Sequence, residues 1–433
     1  MAERRSIGRR VLISVVGNVF APLAGIASAP ILAHALGVAG RGEAAAATAP
    51  LLLAVASSTL GIPTAVTYFV ARSPRLFGTA LRRGAGVLMI AGAVAALAIV
   101  LLSTRLAADD HALARLICIA AIALIPTLLV SLLQATAAAQ HRWTLVATER
   151  AISAFGRLLL IVWLAVGGLL TVESAVMVLA FSPVLGGLAY IRVRPAASSV
   201  ETVETVETQP RLLSYGIRTW IGSISGVLLT RLDQTLMVPL SDATALGLYV
   251  VAVTVAELPL VVNNAVRDVM FSQDSETSED EALARSSRVS TLVTFTLCSG
   301  IALATPLVPF VFGADFAGAI PVILVLLVAV VAGNPGSIAG VGLSARGHPE
   351  LRSVSLLIAC VVNAAVVVVL VPHLGAMGAA IATLAGNVLA SNLNLVLLHR
   401  VAGVRPTEFY RVGPAEVRYL SLVLRRAGPK KTR

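Results

Sequence analysis

The feature that most constrains the fold is a series of long apolar stretches that follow one another along the whole chain. There are twelve, and each is close to the roughly 20 apolar residues that an α-helix needs to cross a bilayer. Charged residues make up only 13% of the chain, about half of the roughly 25% found in soluble domains. The sequence therefore predicts an all-α integral membrane protein. The predicted spans cover residues 11–35, 44–70, 84–103, 115–138, 151–170, 173–192, 218–240, 246–267, 289–312, 318–343, 353–371 and 375–398.

Lysine and arginine are distributed unevenly between the predicted loops. Most of the 33 basic residues fall in the even-numbered loops and in the two tails, whereas only Arg41, Arg105 and Arg115 fall in the odd-numbered loops. By the positive-inside rule, we expect both termini in the cytoplasm and the protein in the inner (plasma) membrane. The net charge of +11 then faces the anionic inner leaflet, which predicts membrane lipids and not nucleic acid as its partner.

A polar, low-complexity segment divides the chain after the sixth predicted span. It contains three consecutive Val-Glu-Thr triplets between two prolines, a composition typical of a flexible linker. Two halves of six spans joined by a linker indicate a transporter built from structural repeats. The predicted organisation is an N-terminal lobe (1–192), a cytoplasmic linker (193–217), a C-terminal lobe (218–399) and a basic cytoplasmic tail (400–433).

Three stretches of the chain carry a resemblance to a known family. The first begins at Gly17-Asn-Val-Phe-Ala-Pro-Leu and ends with Ala-Leu-Gly-Val-Ala-Gly-Arg-Gly42. The second is Arg231-Leu-Asp-Gln-Thr-Leu-Met237, which is followed by Ala245-Leu-Gly-Leu-Tyr-Val-Val-Ala252, and the third is His373-Leu-Gly-Ala-Met-Gly-Ala-Ala-Ile-Ala-Thr383. Together with the span count and the orientation, they resemble bacterial polysaccharide (oligosaccharide) flippases of the multidrug/oligosaccharidyl-lipid/polysaccharide exporter superfamily.

The resemblance implies both a fold and a function. The fold is twelve transmembrane helices in two six-helix lobes around a central V-shaped cavity. The function is to carry undecaprenyl-pyrophosphate-linked oligosaccharide from the cytoplasmic to the periplasmic leaflet by alternating access, for cell-surface polysaccharide biosynthesis, with a polysaccharide polymerase as a partner. The alternative is a cation-coupled multidrug exporter, which shares the twelve-span plan. The related lipid II flippases usually have fourteen spans and fit less well.

Motifs of enzymes are absent from the sequence. It contains no GxxxxGK[ST] phosphate-binding loop, no HExxH and no GxSxG. We therefore expect neither catalysis nor a cofactor. We expect transport to be driven by an ion gradient or by the substrate gradient. A membrane-embedded polymerase or ligase for the same glycan lipids would need a large periplasmic loop, and all odd-numbered loops are short.

Charged residues inside the predicted spans are the best candidates for function, because a charge at mid-bilayer costs at least about 2.5–3.5 kcal/mol. Arg231 and Asp233 lie in the seventh span, where a spacing of two residues turns their side chains roughly 200° apart, too far to pair directly. Arg157 lies in the fifth span. A guanidinium in a cavity suits a pyrophosphate, because its planar fork forms bidentate contacts. The alternatives are a packing salt bridge for Arg231 and snorkelling to the cytoplasmic interface for Arg157.

A further candidate, Glu257, lies in the eighth span two residues before Pro259, which is expected to bend the helix. A carboxylate beside a bend suits proton coupling or gating, and Glu257 is also a candidate partner of Arg231. We predict Asp233, Glu257 and Pro259 to act in coupling or gating. The residues predicted to bind substrate are Arg231, Arg157, Asn18, Asn263 and Asn264. For Asn263 and Asn264, the alternative to substrate binding is hydrogen bonding between helices.

Overall fold

The computed structural model describes residues 2–73, 77–191, 208–260 and 280–411. Within these ranges the chain is almost entirely helical and contains no β-strand. The α-helices are α1 (Ala2–Ser58), α2 (Ile62–Arg72), α3 (Phe77–Leu106), α4 (His111–Ala121), α5 (Leu124–Ala139), α6 (Trp143–Val166), α7 (Val172–Gly186), α8 (Thr208–Leu240), α9 (Ala243–Ala256), α10 (Asp280–Ala304), α11 (Val308–Phe312), α12 (Ala319–Ala345), α13 (Pro349–Leu374) and α14 (Ala376–Ala402).

The first two predicted spans share α1, which is interrupted at Gly37. The backbone there has a φ of 67°, a left-handed conformation that glycine adopts without a steric penalty. Helix α1 therefore consists of two segments. After Ser58 the chain turns through Leu60 and Gly61, which have positive φ values of 46° and 67°, and α2 then completes the second predicted span.

Nine helical segments of the described residues are long and apolar enough to cross a membrane. Helix α1 counts once among them although it contains two predicted spans. Helices α6 and α8 are not among them; α6 contains Glu149, Arg150 and Arg157, and α8 contains Arg231 and Asp233. Where they are described, the residues of each of the twelve predicted spans nevertheless lie mostly in helices. The protein is a multi-pass helical membrane protein, as the sequence predicted.

The helices form two lobes in chain order. In the first, α1 packs against α6 and α7, and α2 and α3 pack against α5; in the second, α14 packs against α12 and α13, and α13 packs against α8. The lobes meet where α1 and α2 contact α8 and α9. Helix α8 begins at Thr208, inside the predicted linker. The rest of that linker up to residue 207, and the tail beyond residue 411, lie outside the described residues.

At one end of the lobe interface, α1 and α9 approach so closely that only glycine fits. A Cβ atom on Gly42 would overlap the carbonyl oxygen of Ala243, and a Cβ atom on Gly247 would overlap the carbonyl oxygen of Val38. We call these four residues the outer contact, because the predicted orientation places this end at the periplasm.

At the other end of the interface, the turn between α1 and α2 touches α8. A Cβ atom on Gly61 would overlap the carbonyl oxygen of Gly216. Beside this glycine pair, the rings of Tyr68 and Tyr215 stack with their centroids 4.6 Å apart. We call these four residues the inner contact. The chain between Gly42 and Gly61 is helical over most of its length, so the two contacts are separated by about 28 Å at 1.5 Å per residue.

Candidate functional site

Arg231 and Glu257 form an ion pair between α8 and the end of α9. The Nη2 atom of Arg231 lies 3.4 Å from Oε1 of Glu257, and the two side chains are 33% and 46% exposed. Both residues belong to predicted spans, and charged side chains in spans avoid lipid and face a protein interior or a water-filled cavity. We therefore expect the exposed parts of this pair to face a water-filled gap and not lipid.

Asp233 takes no part in that ion pair. It is only 2% exposed, and its carboxylate accepts hydrogen bonds from the hydroxyl groups of Tyr249 and Thr383 and from the backbone N–H of Gln234. Tyr249 lies on α9 and Thr383 on α14, so the carboxylate links three helices of the C-terminal lobe. The side chains of Arg231 and Asp233 thus have different partners, in agreement with their spacing along the helix.

The chain departs from a regular helix at Glu257. Helix α9 ends at Ala256, and Glu257 caps it. The backbone N–H of Leu260 donates to the carbonyl oxygen of Glu257 over 3.0 Å, and Pro259, between them, is buried. The ionised partner of Arg231 therefore sits at an interruption of the helix, where the proline predicted a bend.

Arg157 lies on α6 with its guanidinium against α1. A Cβ atom on Gly25 would lie 3.4 Å from Nη2 of Arg157. Because Gly25 is near the middle of the first predicted span, this contact favours a position of the guanidinium at mid-membrane depth over snorkelling to the cytoplasmic interface. Of the asparagines predicted to bind substrate, Asn18 lies in α1, and Asn263 and Asn264 lie outside the described residues.

Sequence reasoning missed Arg41, which it assigned to the first outer loop. In the structure Arg41 lies in the second segment of α1, is 9% exposed and is within electrostatic range of Arg157. Its Nε atom is buried without a hydrogen-bond partner. The one signal available in the sequence is the pair of flanking residues, Gly40 and Gly42, because small residues allow helices in membranes to pack closely.

The arrangement places cations in both lobes, with Arg41 and Arg157 in the first and Arg231 in the second. No cluster of His, Cys, Asp and Glu suited to a metal ion occurs within the described ranges. Guanidinium groups at membrane depth bind carboxylates and phosphates strongly, since charge-assisted hydrogen bonds are roughly twice as strong as neutral ones. The site therefore suits an anionic ligand.

The fold is that of membrane transporters of the MOP (multidrug/oligosaccharidyl-lipid/polysaccharide exporter) superfamily with solved structures. The fold matches the lipid II flippase MurJ in an inward closed conformation, with a TM-score of 0.76 at 13% identity over 98% of this chain and 94% of MurJ. It also matches an inward-facing multidrug resistance MATE family transporter of the MOP superfamily, with a TM-score of 0.66 at 14% identity over 91% and 98% of the two chains. A third match is a MOP superfamily transporter from Pyrococcus furiosus described by the reverse polarity of its binding pocket, with a TM-score of 0.59 at 14% identity over 91% and 94%.

Residues 42–321 match the family described as polysaccharide biosynthesis protein. This match covers more than half of the chain, which therefore belongs to that family, and the resemblance seen in the sequence is confirmed. No curated protein sequence matches the chain. The span count favoured the multidrug exporters over the lipid II flippases as relatives, yet the fold is more similar to MurJ than to this MATE structure.

Proposed function

We propose that the protein is a flippase that moves undecaprenyl-pyrophosphate-linked oligosaccharide from the cytoplasmic to the periplasmic leaflet by alternating access. The observation that carries this proposal is the partly exposed guanidinium of Arg231, deep in a predicted span on a helix at the lobe interface. Its planar fork matches a diphosphate. In this proposal the protein is a transporter and not an enzyme, lies in the inner membrane with both termini in the cytoplasm, and serves cell-surface polysaccharide biosynthesis.

The ion pair of Arg231 and Glu257 gives the proposal a mechanism. The carboxylate of Glu257 pairs with the guanidinium of Arg231, and in this proposal the cargo diphosphate competes with it for that guanidinium. Binding of cargo thus releases Glu257, which lies at the interruption of α9 beside Pro259. In this way, the binding of cargo is linked to the bend at the end of α9, the helix that also forms part of the outer contact.

The remaining candidate residues take the following roles in the proposal. Arg157 and Asn18 in the first lobe, with Asn263 and Asn264 in the second, contact the sugar diphosphate headgroup. Asp233 supports coupling from inside the C-terminal lobe, because its carboxylate links α8, α9 and α14. Membrane lipids surround the cargo tail, and a polysaccharide polymerase receives the cargo in the periplasm.

Support for alternating access comes from the outer and inner contacts. Each contact closes one end of the lobe interface through a glycine pair, and each joins one helix of the first lobe to one of the second. A rocking motion of the lobes opens one contact while the other stays closed, which is the motion that alternating access requires.

The test of the proposed function is the Arg231→Ala variant in the native cell. We expect loss of surface glycan while the protein still inserts in the membrane, because a lost charge-assisted bond weakens headgroup binding by about 1.5–3 kcal/mol. Arg231→Ala leaves Glu257 without the partner of its ion pair. The double variant Arg231→Ala/Glu257→Gln also removes this unpaired charge, and we expect it to remain inactive. Arg105→Ala, an exposed arginine at the end of α3, is the control. Normal surface glycan in Arg231→Ala cells would contradict the proposal.

The second candidate function is cation-coupled multidrug export. The observation that favours it is the 46% exposure of the Glu257 side chain, since an accessible acid suits a cationic drug. This function predicts that cells lacking the protein become sensitive to cationic drugs and keep normal surface glycan. The flippase predicts the opposite pair of results, so one deletion strain measured both ways separates the two functions.

A further inference from the structure

A cavity of about 80 Å³ lies in the first lobe between the start of α3, the end of α5 and the turn after α7. This volume is several times the roughly 10–15 Å³ that one water molecule needs. Of the residues that line it, none belongs to α1, α2, α8 or α9, so it is separate from the helices at which the lobes meet. We call it the α3–α5 cavity, and its walls include Phe77, Leu81, Leu133, Ala137, Arg142 and Tyr190.

Several helix ends meet at this cavity. Helix α3 begins at Phe77, α5 ends at Ala139 and α6 begins at Trp143, while the 3₁₀ turn Gly187–Tyr190 follows α7. Tryptophan and tyrosine are enriched where helices leave the membrane, and we therefore expect the cavity to lie at the membrane surface. The predicted orientation places this end at the cytoplasm, beside the headgroups of the inner leaflet.

The α3–α5 cavity is amphipathic. Phe77, Leu81 and Leu133 give it apolar walls, whereas the side chain of Arg142, directly before α6, is exposed to solvent. Basic pockets between transmembrane helices on the cytoplasmic side of a membrane suit the headgroups of anionic lipids. The combination of apolar walls and one exposed guanidinium therefore fits a ligand that has both an anionic and an apolar part.

Tyr190 brings a hydroxyl group without a partner to the same place. It is 7% exposed, and its hydroxyl oxygen is buried with no hydrogen-bond partner among the described residues. The turn is held against α5, because a Cβ atom on Gly187 would lie 2.7 Å from Cγ2 of Val130. Nearly all buried polar groups in proteins have a partner. Since Tyr190 lines the cavity, a polar atom of a bound molecule is an available partner.

We propose that the α3–α5 cavity binds the glycerol phosphate region of one anionic phospholipid of the inner leaflet. The phosphate pairs with the guanidinium of Arg142, and an oxygen of the lipid accepts a hydrogen bond from the hydroxyl of Tyr190. The first methylene groups of the acyl chains pack on Phe77 and Leu81. Pockets that enclose a drug-sized ligand measure roughly 300–1,000 Å³, so this cavity does not admit an oligosaccharide and the lipid is not the proposed cargo.

The first measurement is the apparent dissociation constant of phosphatidylglycerol, titrated into the purified full-length protein in detergent and read by native mass spectrometry. We expect Arg142→Gln to weaken binding about tenfold, because it removes a charge-assisted hydrogen bond. Arg400→Gln, which changes an exposed arginine at the end of α14, is the control and is expected to bind normally. Equal weakening in both variants would show attraction to a basic surface only and would overturn the proposal.

The second measurement uses variants that keep the net charge. Tyr190→Phe is expected to weaken phosphatidylglycerol binding about fivefold without lowering the thermal unfolding midpoint in the absence of lipid, because the lost hydroxyl has no partner in the protein. Tyr410→Phe, at a tyrosine that is 50% exposed, is the control. Ala137→Leu fills the cavity and is expected to abolish specific binding. Normal binding by Tyr190→Phe and by folded Ala137→Leu would overturn the proposal.

The identity of the ligand is tested with three further probes. Phosphatidylcholine is expected to bind more weakly than phosphatidylglycerol and to be insensitive to Arg142→Gln. Soluble glycerol phosphate that binds as tightly as the lipid would indicate a site for free anions, and Arg142-dependent binding of undecaprenyl diphosphate alone would indicate a cargo site; either result would overturn the proposal. The flippase proposal fails separately, when surface glycan survives Arg231→Ala, and that result leaves phosphatidylglycerol binding unaffected.

Discussion

At the scale of single residues, the ionised groups of the C-terminal lobe fall into two classes. Asp233 is buried and holds three helices together through Tyr249 and Thr383, so its first role is packing. The Arg231–Glu257 pair is partly exposed, and such pairs contribute about 0–1 kcal/mol to stability. Its presence deep in the membrane is therefore explained by function better than by folding.

We expect Glu257→Gln to reduce transport far more than it reduces stability. The amide keeps the shape of the side chain but loses the charge that competes with cargo for Arg231, so release of cargo slows. Surface glycan is expected to fall severalfold, while the thermal unfolding midpoint changes by the small amount typical of an exposed ion pair. Glycan is quantified on whole cells, and the midpoint on purified protein.

The control for this variant is Glu173→Gln. Glu173 pairs with Arg115 at the same 3.4 Å distance, with side chains 52% and 68% exposed, but outside the candidate site. It is expected to leave both measurements unchanged. Equal loss of glycan in the two variants, or unchanged export in Glu257→Gln, would make Glu257 a structural residue.

Functional charged residues could be predicted from the sequence only where they lie well inside a predicted span, because burial can be expected there. Arg231 and Glu257 were recognised because each interrupts an apolar run, and their pairing was a stated alternative. Arg41 was missed because it falls between two runs, where an exposed loop was expected. Its burial depends on the break at Gly37 and on the close approach of other helices at the flanking residues Gly40 and Gly42, and neither is encoded in the hydropathy of neighbouring residues.

At the scale of helices, glycine determines how α1 meets the second lobe. The apolar pattern predicted the spans of α1 but not the contacts at their ends, because those contacts depend on atoms of distant helices. Gly42 touches α9 and Gly61 touches α8. Gly42 lies near the start of the second segment of α1, and Gly61 lies in the turn that follows this segment. A single methyl group added at either glycine is therefore expected to prevent closure at that end alone.

We expect Gly42→Ala and Gly61→Ala to bias the protein in opposite directions. Gly42→Ala keeps the outer contact open, and Gly61→Ala keeps the inner contact open, because each new Cβ would overlap a carbonyl oxygen of the other lobe. Spin-label distances across the outer contact are expected to lengthen in the first variant only, and distances across the inner contact in the second only.

Gly226→Ala on α8 is the matched control, because a Cβ atom there would have no neighbour within 4 Å. It is expected to leave both distance distributions unchanged. Its expected effect is a slight stabilisation of α8, because alanine has a higher helix propensity than glycine. Identical distance changes in Gly42→Ala and Gly61→Ala would contradict independent contacts at the two ends and would leave the glycines as packing residues only.

At the scale of the whole molecule, the distribution of basic residues predicts the orientation of both lobes at once. Arg105 and Arg115, near the ends of α3 and α4, are two of the three basic residues that the sequence assigns to the side opposite to the tails. We therefore expect alkaline phosphatase fused after Ala108 to be active in the periplasm, and a fluorescent protein fused after Arg433 to fold in the cytoplasm. Phosphatase fused after Ser73 is expected to be inactive. The reverse pattern would exchange the outer and inner contacts and reverse the proposed direction of transport, whereas activity at both Ala108 and Ser73 would contradict α3 as a membrane span.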